Sequence, residues 1–240
     1  MGVLDETIEV PRKTMCLFFL VDGSGSMSGD KIGSLNQGIR EVLPDLRDIS
    51  DSNADALIKV AVLQFSSGTQ WITASPQELN DIMWTDIQAG GVTDMGEAFT
   101  ELDSKLNRNA FLADAVGNYA PVIILMSDGE PTDDWQGGLK KLKANKWFNA
   151  AIKIAFSIGS DANDDILSAF TGNKETVIPI NNKDIMKKMI RFVSVTSSRI
   201  GSKKAGSSED DAAAKQAEVA EAIQSEMEEL DPEENYNEGW

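Results

Sequence analysis

Short apolar runs alternate with longer stretches of helical periodicity along most of the chain. Five runs are rich in Val, Ile, Leu and Phe and are bounded by turn residues: 15–21, 56–65, 122–126, 151–158 and 177–180. The first and third are apolar throughout, which is typical of strands buried on both faces of a mainly parallel sheet. The segment 69–73 is predicted to be a short strand that pairs with the run before it through the turn at 66–68.

Between these runs, apolar residues recur at the spacing of a helical stripe. The predicted helices lie at 32–46, from about 93 to 106, around 134–147 and around 185–195. Pro44 is expected to kink or interrupt the first helix near its end, because proline lacks an amide donor and clashes with the preceding turn. The alternation of strands and helices predicts an α/β fold, with an open, mostly parallel central β-sheet and helices on both faces.

Acidic charge is concentrated at the C-terminal end of the 240-residue chain. The net charge is −17, and residues 201–240 hold three basic and twelve acidic side chains, a net −9. Because the run 201–208 has the composition of a flexible linker, we predict a domain over residues 1–200 and a linker with an acidic tail over 201–240.

The tail carries one narrow apolar stripe, which favours a helix over residues 208–231. The stripe consists of Val219, Ile223, Met227 and Leu230. Such a helix would dock into a groove of a partner or onto its own domain. The alternative is a disordered, solubilising tail, which its charge would also explain.

Composition excludes several classes of function. The chain has no histidine and a single cysteine, Cys16. It therefore cannot form a Ser-His-Asp triad, a Cys-His dyad, a His-ligated zinc site or an intramolecular disulfide. The negative charge argues against nucleic-acid or anionic-membrane binding, and no apolar run approaches the roughly 20 residues of a bilayer span. We expect a cytoplasmic protein in which any metal would have oxygen ligands.

Three glycine-containing segments at predicted strand ends or helix starts carry the candidate chemistry: 22–29, 90–96 and 127–134. In open α/β sheets, ligands bind beyond the carboxyl ends of the strands. Asp22, Ser24 and Ser26 alternate, so in an extended loop their side chains can converge on one side. Asp128 would add a second carboxylate and Thr93 a third hydroxyl. Carboxylate and hydroxyl oxygens suit a hard divalent cation such as Mg²⁺.

The order and spacing of these residues resemble the metal-ion-dependent adhesion site of von Willebrand factor A domains. The resemblance rests on Asp22-x-Ser24-x-Ser26, on Gly90-Gly91-x-Thr93 and on Asp128-Gly129, and it covers about residues 10–198. The string 126–133 is similar to the bacterial TerY-like group linked to tellurium resistance operons.

The resemblance implies both a metal and a partner. Mg²⁺, with Mn²⁺ or Ca²⁺ as alternatives, would be held directly or through water, and an Asp or Glu from a partner protein would complete its coordination. The implied metal ligands are Asp22, Ser24, Ser26, Thr93 and Asp128.

We therefore expect a non-enzymatic, metal-dependent protein–protein interaction module. It would act as an adaptor or scaffold in a bacterial stress response such as tellurite resistance or phage defence, with kinase-like or phosphatase-like partners. The alternative is a metal-dependent phosphatase or other hydrolase using the same site. For that chemistry the loops offer Asp94, Glu130 and Asp133 as candidate general acids or bases. The glycine spacing after Asp22 fits neither the dinucleotide nor the Walker phosphate-binding motif.

Overall fold

The computed structural model describes residues 11–128, 130–160, 162–203 and 209–230. The strands are β1 (Lys13–Asp22), β2 (Ala56–Ser66), β3 (Gly68–Trp71), β4 (Gln77–Glu78), β5 (Val122–Ser127), β6 (Ile152–Ile158) and β7 (Val177–Ile180). The helices are α1 (Asp30–Ser52), α2 (Met95–Lys105), α3 (Trp135–Lys143), α4 (Lys146–Ala150), α5 (Asp164–Thr171), α6 (Lys183–Gly201) and α7 (Glu209–Glu229).

These strands form one sheet, in which β1 and β5 are neighbours near the centre. The order is β3-β2-β1-β5-β6-β7, and β4 also pairs with β2. Neighbours from β2 to β7 are parallel, while β3 and β4 run antiparallel to β2. The predicted α/β fold with a mostly parallel sheet is therefore confirmed. Because β1 and β5 are parallel and in register, Asp22 and Asp128 emerge at the same edge of the sheet.

Two hydrophobic cores lie on opposite faces of this sheet, because side chains alternate along each strand. On β1, Leu17 and Phe19 face the core shared with α1, α6 and α7, whereas Phe18 and Leu20 face the core shared with α2 to α5. This double burial explains why β1 is apolar throughout 15–21 and β5 throughout 122–126. Within the described residues, no helix is both long and apolar enough to span a membrane.

The structure corrects several local expectations. Pro44 does not end α1, which continues to Ser52. Pro44 is exposed, so the backbone hydrogen bond that it cannot make is missing from the solvent-facing side of the helix. The helix predicted around 134–147 is divided into α3 and α4, because Asn145 caps α4 by accepting from the Trp147 amide. Helix α5 and strand β4 were not predicted.

The predicted tail helix packs on its own domain. Helix α7 runs from Glu209 to Glu229, and Val219, Ile223 and Leu230 are buried against the α1–α6 face of the sheet, with Met227 partly buried beside them. The side-chain amide of Gln216 accepts from the backbone amide of Lys153 and donates to its carbonyl, at 2.9 and 2.8 Å. Strand β7 pairs with β6 only from Ala155 onward, so it does not reach Lys153. Gln216 therefore takes the place of a strand neighbour for the backbone amide and carbonyl of Lys153.

The linker residues 204–208 and the terminal segment 231–240 lie outside the described residues. The division into a domain over 1–200 and a tail over 201–240 stays a prediction, although α6 does extend to Gly201.

Two glycines allow α2 and α3 to cross closely. A Cβ on Gly138 would lie 2.3 Å from the carbonyl oxygen of Gly96, and a Cβ on Gly96 would lie 2.5 Å from that of Asp134. Both are backbone atoms that cannot move without shifting a helix. This crossing fixes the start of α2, and hence the Thr93 loop, against the segment that follows β5.

We predict that Gly138→Ala lowers the free energy of unfolding by about 1–3 kcal/mol, because the new methyl overpacks this crossing. The matched control is Gly33→Ala in α1, where an added Cβ has no neighbour within 4 Å. The control should be neutral or stabilising by up to about 1 kcal/mol through helix propensity. Urea unfolding followed by circular dichroism measures both, and equal effects would contradict the close-crossing explanation.

Lys153 is a largely buried lysine on β6 that has no carboxylate partner among the described residues. Its Nζ donates to the carbonyls of Ala151 and Phe148 and lies 5.3 Å from the centroid of the Phe148 ring. Burial lowers the pKa of Lys153 from 10.5 to about 8. Folding at neutral pH therefore carries a cost for burying this charge.

Stability should consequently rise between pH 8 and 10.5, where only the unfolded chain keeps the proton on Lys153. Below pH 8 both states are protonated and the cost is fully present. We expect Lys153→Met to raise the free energy of unfolding at pH 7 by about 2 kcal/mol and to flatten this rise. Urea unfolding measured across this pH range tests the prediction, with the exposed Lys143→Met as control. If the free energy of unfolding of Lys153→Met rises with pH as steeply as that of wild type, Lys153 is not the cause of the rise.

Candidate metal centre

Asp22 is the last residue of β1, and its carboxylate organises the loop that follows. Its Oδ1 accepts from the Ser24 amide at 2.8 Å, and its Oδ2 accepts from the Ser127 hydroxyl at 2.6 Å. The side chain is fully buried. Burial raises the pKa of Asp22 above its ordinary value, the hydrogen bonds from Ser127 and Ser24 oppose that rise, and the nearby charge of Asp128 adds to it.

A chain of hydrogen bonds links this loop to the end of β5. The hydroxyls of Ser24 and Ser26 lie 3.0 Å apart, and Ser26 donates to Oδ1 of Asp128 at 2.7 Å. Ser24 and Asp128 are buried, whereas Ser26 is exposed. Four of the five predicted ligands are thus brought together through side-chain oxygens. Gly129, which completed the Asp128-Gly129 motif, lies outside the described residues.

The fifth predicted ligand, Thr93, is placed by its backbone. Gly90 donates to the Gly23 carbonyl at 2.8 Å, and Gly25 donates to the Gly91 carbonyl at 3.1 Å, so the two loops are joined directly. Gly91 has a φ of +83°, and a Cβ there would lie 2.5 Å from Ser67 Oγ. Only glycine fits this turn.

On its other side, the Thr93 segment is tied to the residues after β5. The Thr93 amide donates to Thr132 Oγ1 at 3.1 Å, and the Thr132 amide donates to the Thr93 carbonyl at 2.9 Å. Thr93 is itself 5% exposed. Its loop therefore lies between the segments that carry Asp22 and Asp128. We call Asp22, Ser24, Ser26, Thr93 and Asp128 the donor set.

Lys31 is a member of this site that the sequence analysis did not identify. Its ammonium lies 2.5 Å from Oδ2 of Asp128, and its side chain is 15% exposed against 0% for Asp128. The second missed residue is Ser127, whose hydroxyl holds Asp22. A cation in the first turn of a helix opposes the helix dipole, and this was the available signal for Lys31. Ser127 gave no comparable signal, since its partner is distant in sequence.

The acidic residues around the donor set have structural partners. Asp133 accepts from the amides of Gly96 and Glu97 at 2.9 and 2.8 Å, so it stabilises the start of α2. Asp94 accepts from the Gly68 amide at 2.8 Å, and Glu130 accepts from the Asn163 amide group at 3.0 Å. Asp134 caps α3 through Gly137. Asp134 thus caps the helix that follows it, whereas Asp133 caps α2, which precedes it in sequence.

The chemistry of the donor set fits a hard divalent cation. It offers two buried carboxylates and three hydroxyls, and an ammonium already lies against Asp128. Across the described part of the chain, no three acidic or cysteine side chains are grouped to hold a metal on their own. A metal here would therefore depend on the serine and threonine oxygens as well as on the carboxylates.

Comparison with known families identifies one family for most of the chain. The model of the von Willebrand factor type A domain matches residues 17–193, most of the sequence. The chain belongs to the von Willebrand factor type A domain family. The family prediction is thereby confirmed, whereas similarity to the TerY-like group is untested. A comparison with curated proteins gives no match.

Solved structures of this family share the fold at low sequence identity. Proximal thread matrix protein 1 of the mussel byssus, solved with zinc in its metal-ion-dependent adhesion site, is 19% identical with a TM-score of 0.58, over 77% of this chain and 48% of that one. The ArnB paralog VWA2 of Sulfolobus acidocaldarius is 18% identical with a TM-score of 0.55, over 75% and 44%.

The pilus adhesin SpaC of Lactobacillus rhamnosus GG is 14% identical with a TM-score of 0.56, over 76% of this chain and 30% of the adhesin. This chain thus spans less than half the length of each of these structures. Von Willebrand factor A domains act widely as protein-interaction modules, and many bind a divalent metal at the adhesion site.

We predict that Asp133→Ala lowers the free energy of unfolding by about 1 kcal/mol, because two amides at the start of α2 lose their acceptor. Asp133→Asn keeps one acceptor oxygen and should lose less. Thermal and urea unfolding give the values. Equal destabilisation of the two variants would contradict the idea that the two hydrogen bonds accepted by the Asp133 carboxylate stabilise the start of α2.

Proposed function

We propose that this protein is a divalent-metal-dependent protein-interaction module whose metal, Mg²⁺ in the first instance, is held by the donor set. The observation that carries the proposal is the hydrogen-bonded chain from Asp22 through Ser24 and Ser26 to Asp128. This chain brings carboxylate and hydroxyl oxygens from two strand ends into one hydrogen-bonded cluster. When bound, the metal supplies an electrophilic centre to which an oxygen of the partner binds.

The charge at the site favours an acidic partner. Asp22 and Asp128 together with Lys31 carry −1 when all three are ionised. A bound dication would make the site +1, so an incoming carboxylate would neutralise it. This supports an Asp or Glu of the partner as the group that completes the coordination. Ser26, which is exposed, marks the side from which it would approach.

The contacts around the site favour binding over hydrolysis. A hydrolase would need a free general acid or base near the metal. The three candidates, Asp94, Glu130 and Asp133, each hold a backbone or side-chain amide of the scaffold. We therefore favour an interaction module over a metal-dependent phosphatase or other hydrolase.

The wider setting that we propose is a cytoplasmic adaptor of a bacterial stress response, such as tellurite resistance or phage defence. The similarity of the string 126–133 to the TerY-like group supports this setting. Kinase-like or phosphatase-like proteins of the same system are the proposed partners.

Metal binding is tested by calorimetric titration of Mg²⁺, Mn²⁺ and Ca²⁺ into the protein. We expect Ser26→Ala to weaken binding at least about tenfold, because a hydroxyl that aligns Asp128 is lost. The matched control is Ser28→Ala, an exposed serine two residues later in the same loop. Binding that is equal in the two variants, or absent from the wild type, would refute a metal centre built on Ser26.

Partner capture is tested by affinity purification from extracts of the source cells with and without EDTA. We expect proteins that are retained by wild type and Ser28→Ala in Mg²⁺ and lost in EDTA or with Ser26→Ala. Retention that is insensitive to chelator would contradict the proposal. A parallel assay of phosphate-ester hydrolysis in Mn²⁺ should show no turnover that depends on Asp128; turnover abolished by Asp128→Asn would favour the hydrolase alternative.

A further inference from the structure

Asp128 is fully enclosed by the protein and has a cation of the chain as its nearest charge. Ser26 donates to its Oδ1, and the Lys31 ammonium contacts its Oδ2. Neither the carboxylate nor most of the lysine is accessible to water. A buried carboxylate without such a partner would be strongly destabilising, so Lys31 provides its charge compensation.

The position of Lys31 is unfavourable for the helix that carries it. Lys31 is the second residue of α1, where the helix dipole favours negative charge, as the neighbouring Asp30 provides. The helix also begins directly after Gly29, whose φ of +85° turns the chain sharply before α1 starts. The gain that offsets a lysine here is its contact with Asp128, which ties the start of α1 to the end of β5.

We propose that Lys31 is a built-in competitor of the metal ion, which compensates Asp128 when no metal is bound and sets a low affinity for the divalent cation. This inference rests on the proposed metal site. A cation that enters the donor set must share Asp128 with the ammonium or displace it. Sharing places like charges close together in a poorly solvated site, where their repulsion is strong, and displacement costs the ammonium its contact with Asp128.

Two measurable effects follow from removing the charge of Lys31. First, the affinity for Mg²⁺ or Mn²⁺ increases, because the dication no longer competes with an ammonium for Asp128. Second, the metal-free protein becomes less stable, because Asp128 stays buried without a counter-ion. A purely structural lysine would produce the second effect and would leave the intrinsic affinity of the folded protein for metal unchanged or weakened.

The test compares wild type, Lys31→Met, Lys31→Arg and the exposed Lys140→Met, which makes the same change in net charge away from Asp128. Mn²⁺ affinity is measured by calorimetry and by electron paramagnetic resonance of free Mn²⁺. Melting temperature is measured in EDTA and in saturating Mn²⁺. Relative to wild type, we expect Lys31→Met to bind Mn²⁺ about tenfold more tightly and to melt at a lower temperature in EDTA. Its melting temperature should also rise more on addition of saturating Mn²⁺. Lys31→Arg and Lys140→Met should stay near wild type.

The outcomes separate this inference from the proposed function. If wild type binds Mn²⁺ and Lys31→Met binds it no more tightly, the competitor role is overturned and the metal site stands. If neither binds, both are overturned. Binding by Lys31→Met alone would support the competitor role and would overturn the metal-dependent function proposed for the wild type. Should Lys31→Met not fold in EDTA, Lys31→Gln, whose amide can still donate to Asp128 without a charge, carries the same comparison.

Discussion

The burial of two carboxylates at adjacent strand ends is the constraint on which the rest of this site depends. Asp22 and Asp128 end β1 and β5, which are parallel neighbours, and neither is open to solvent. Leaving a charge in such a position is costly unless hydrogen bonds or an opposite charge compensate it. Ser24, Ser127 and Ser26 supply the hydrogen bonds, and Lys31 supplies the charge. The site is thus organised by the need to accommodate two negative groups.

The scaffold holds these groups through backbone contacts between loops that are far apart in sequence. The Gly23–Gly25 backbone pairs with Gly90 and Gly91, and Thr93 pairs with Thr132. The crossing of α2 and α3 at Gly96 and Gly138 keeps the segments of Thr93 and Thr132 in place. At Gly96 and Gly138 the two backbones approach one another too closely for a Cβ. Affinity for a metal and for a partner would therefore respond to substitutions that never touch a ligand.

The α7 helix extends the domain beyond the family pattern, which matches residues 17–193. It covers the edge of β6 with Gln216 and buries an apolar stripe against the α1–α6 face. The sequence predicted the apolar stripe but did not decide whether it packs on a partner or on its own domain. The structure places the stripe on the domain's own α1–α6 face, while Gln216 satisfies the edge of β6 that the short β7 leaves open.

The sequence by itself determined the parallel strands, β3 and the residue types of the donor set, but neither β4 nor α5. It could do so because the buried parallel strands are mostly apolar and because the loop motifs are local. Local signals for α5, an Asn163 cap with two acidic residues and a terminal Gly172, were present and were overlooked. Only the tertiary structure decided that Lys31 and Ser127 belong to the site, that Asp133 caps a helix preceding it, and that Pro44 is tolerated. Each depends on contacts or solvent exposure that arise when distant segments pack, and among them Lys31 alone had a local signal, as a cation in the first turn of a helix.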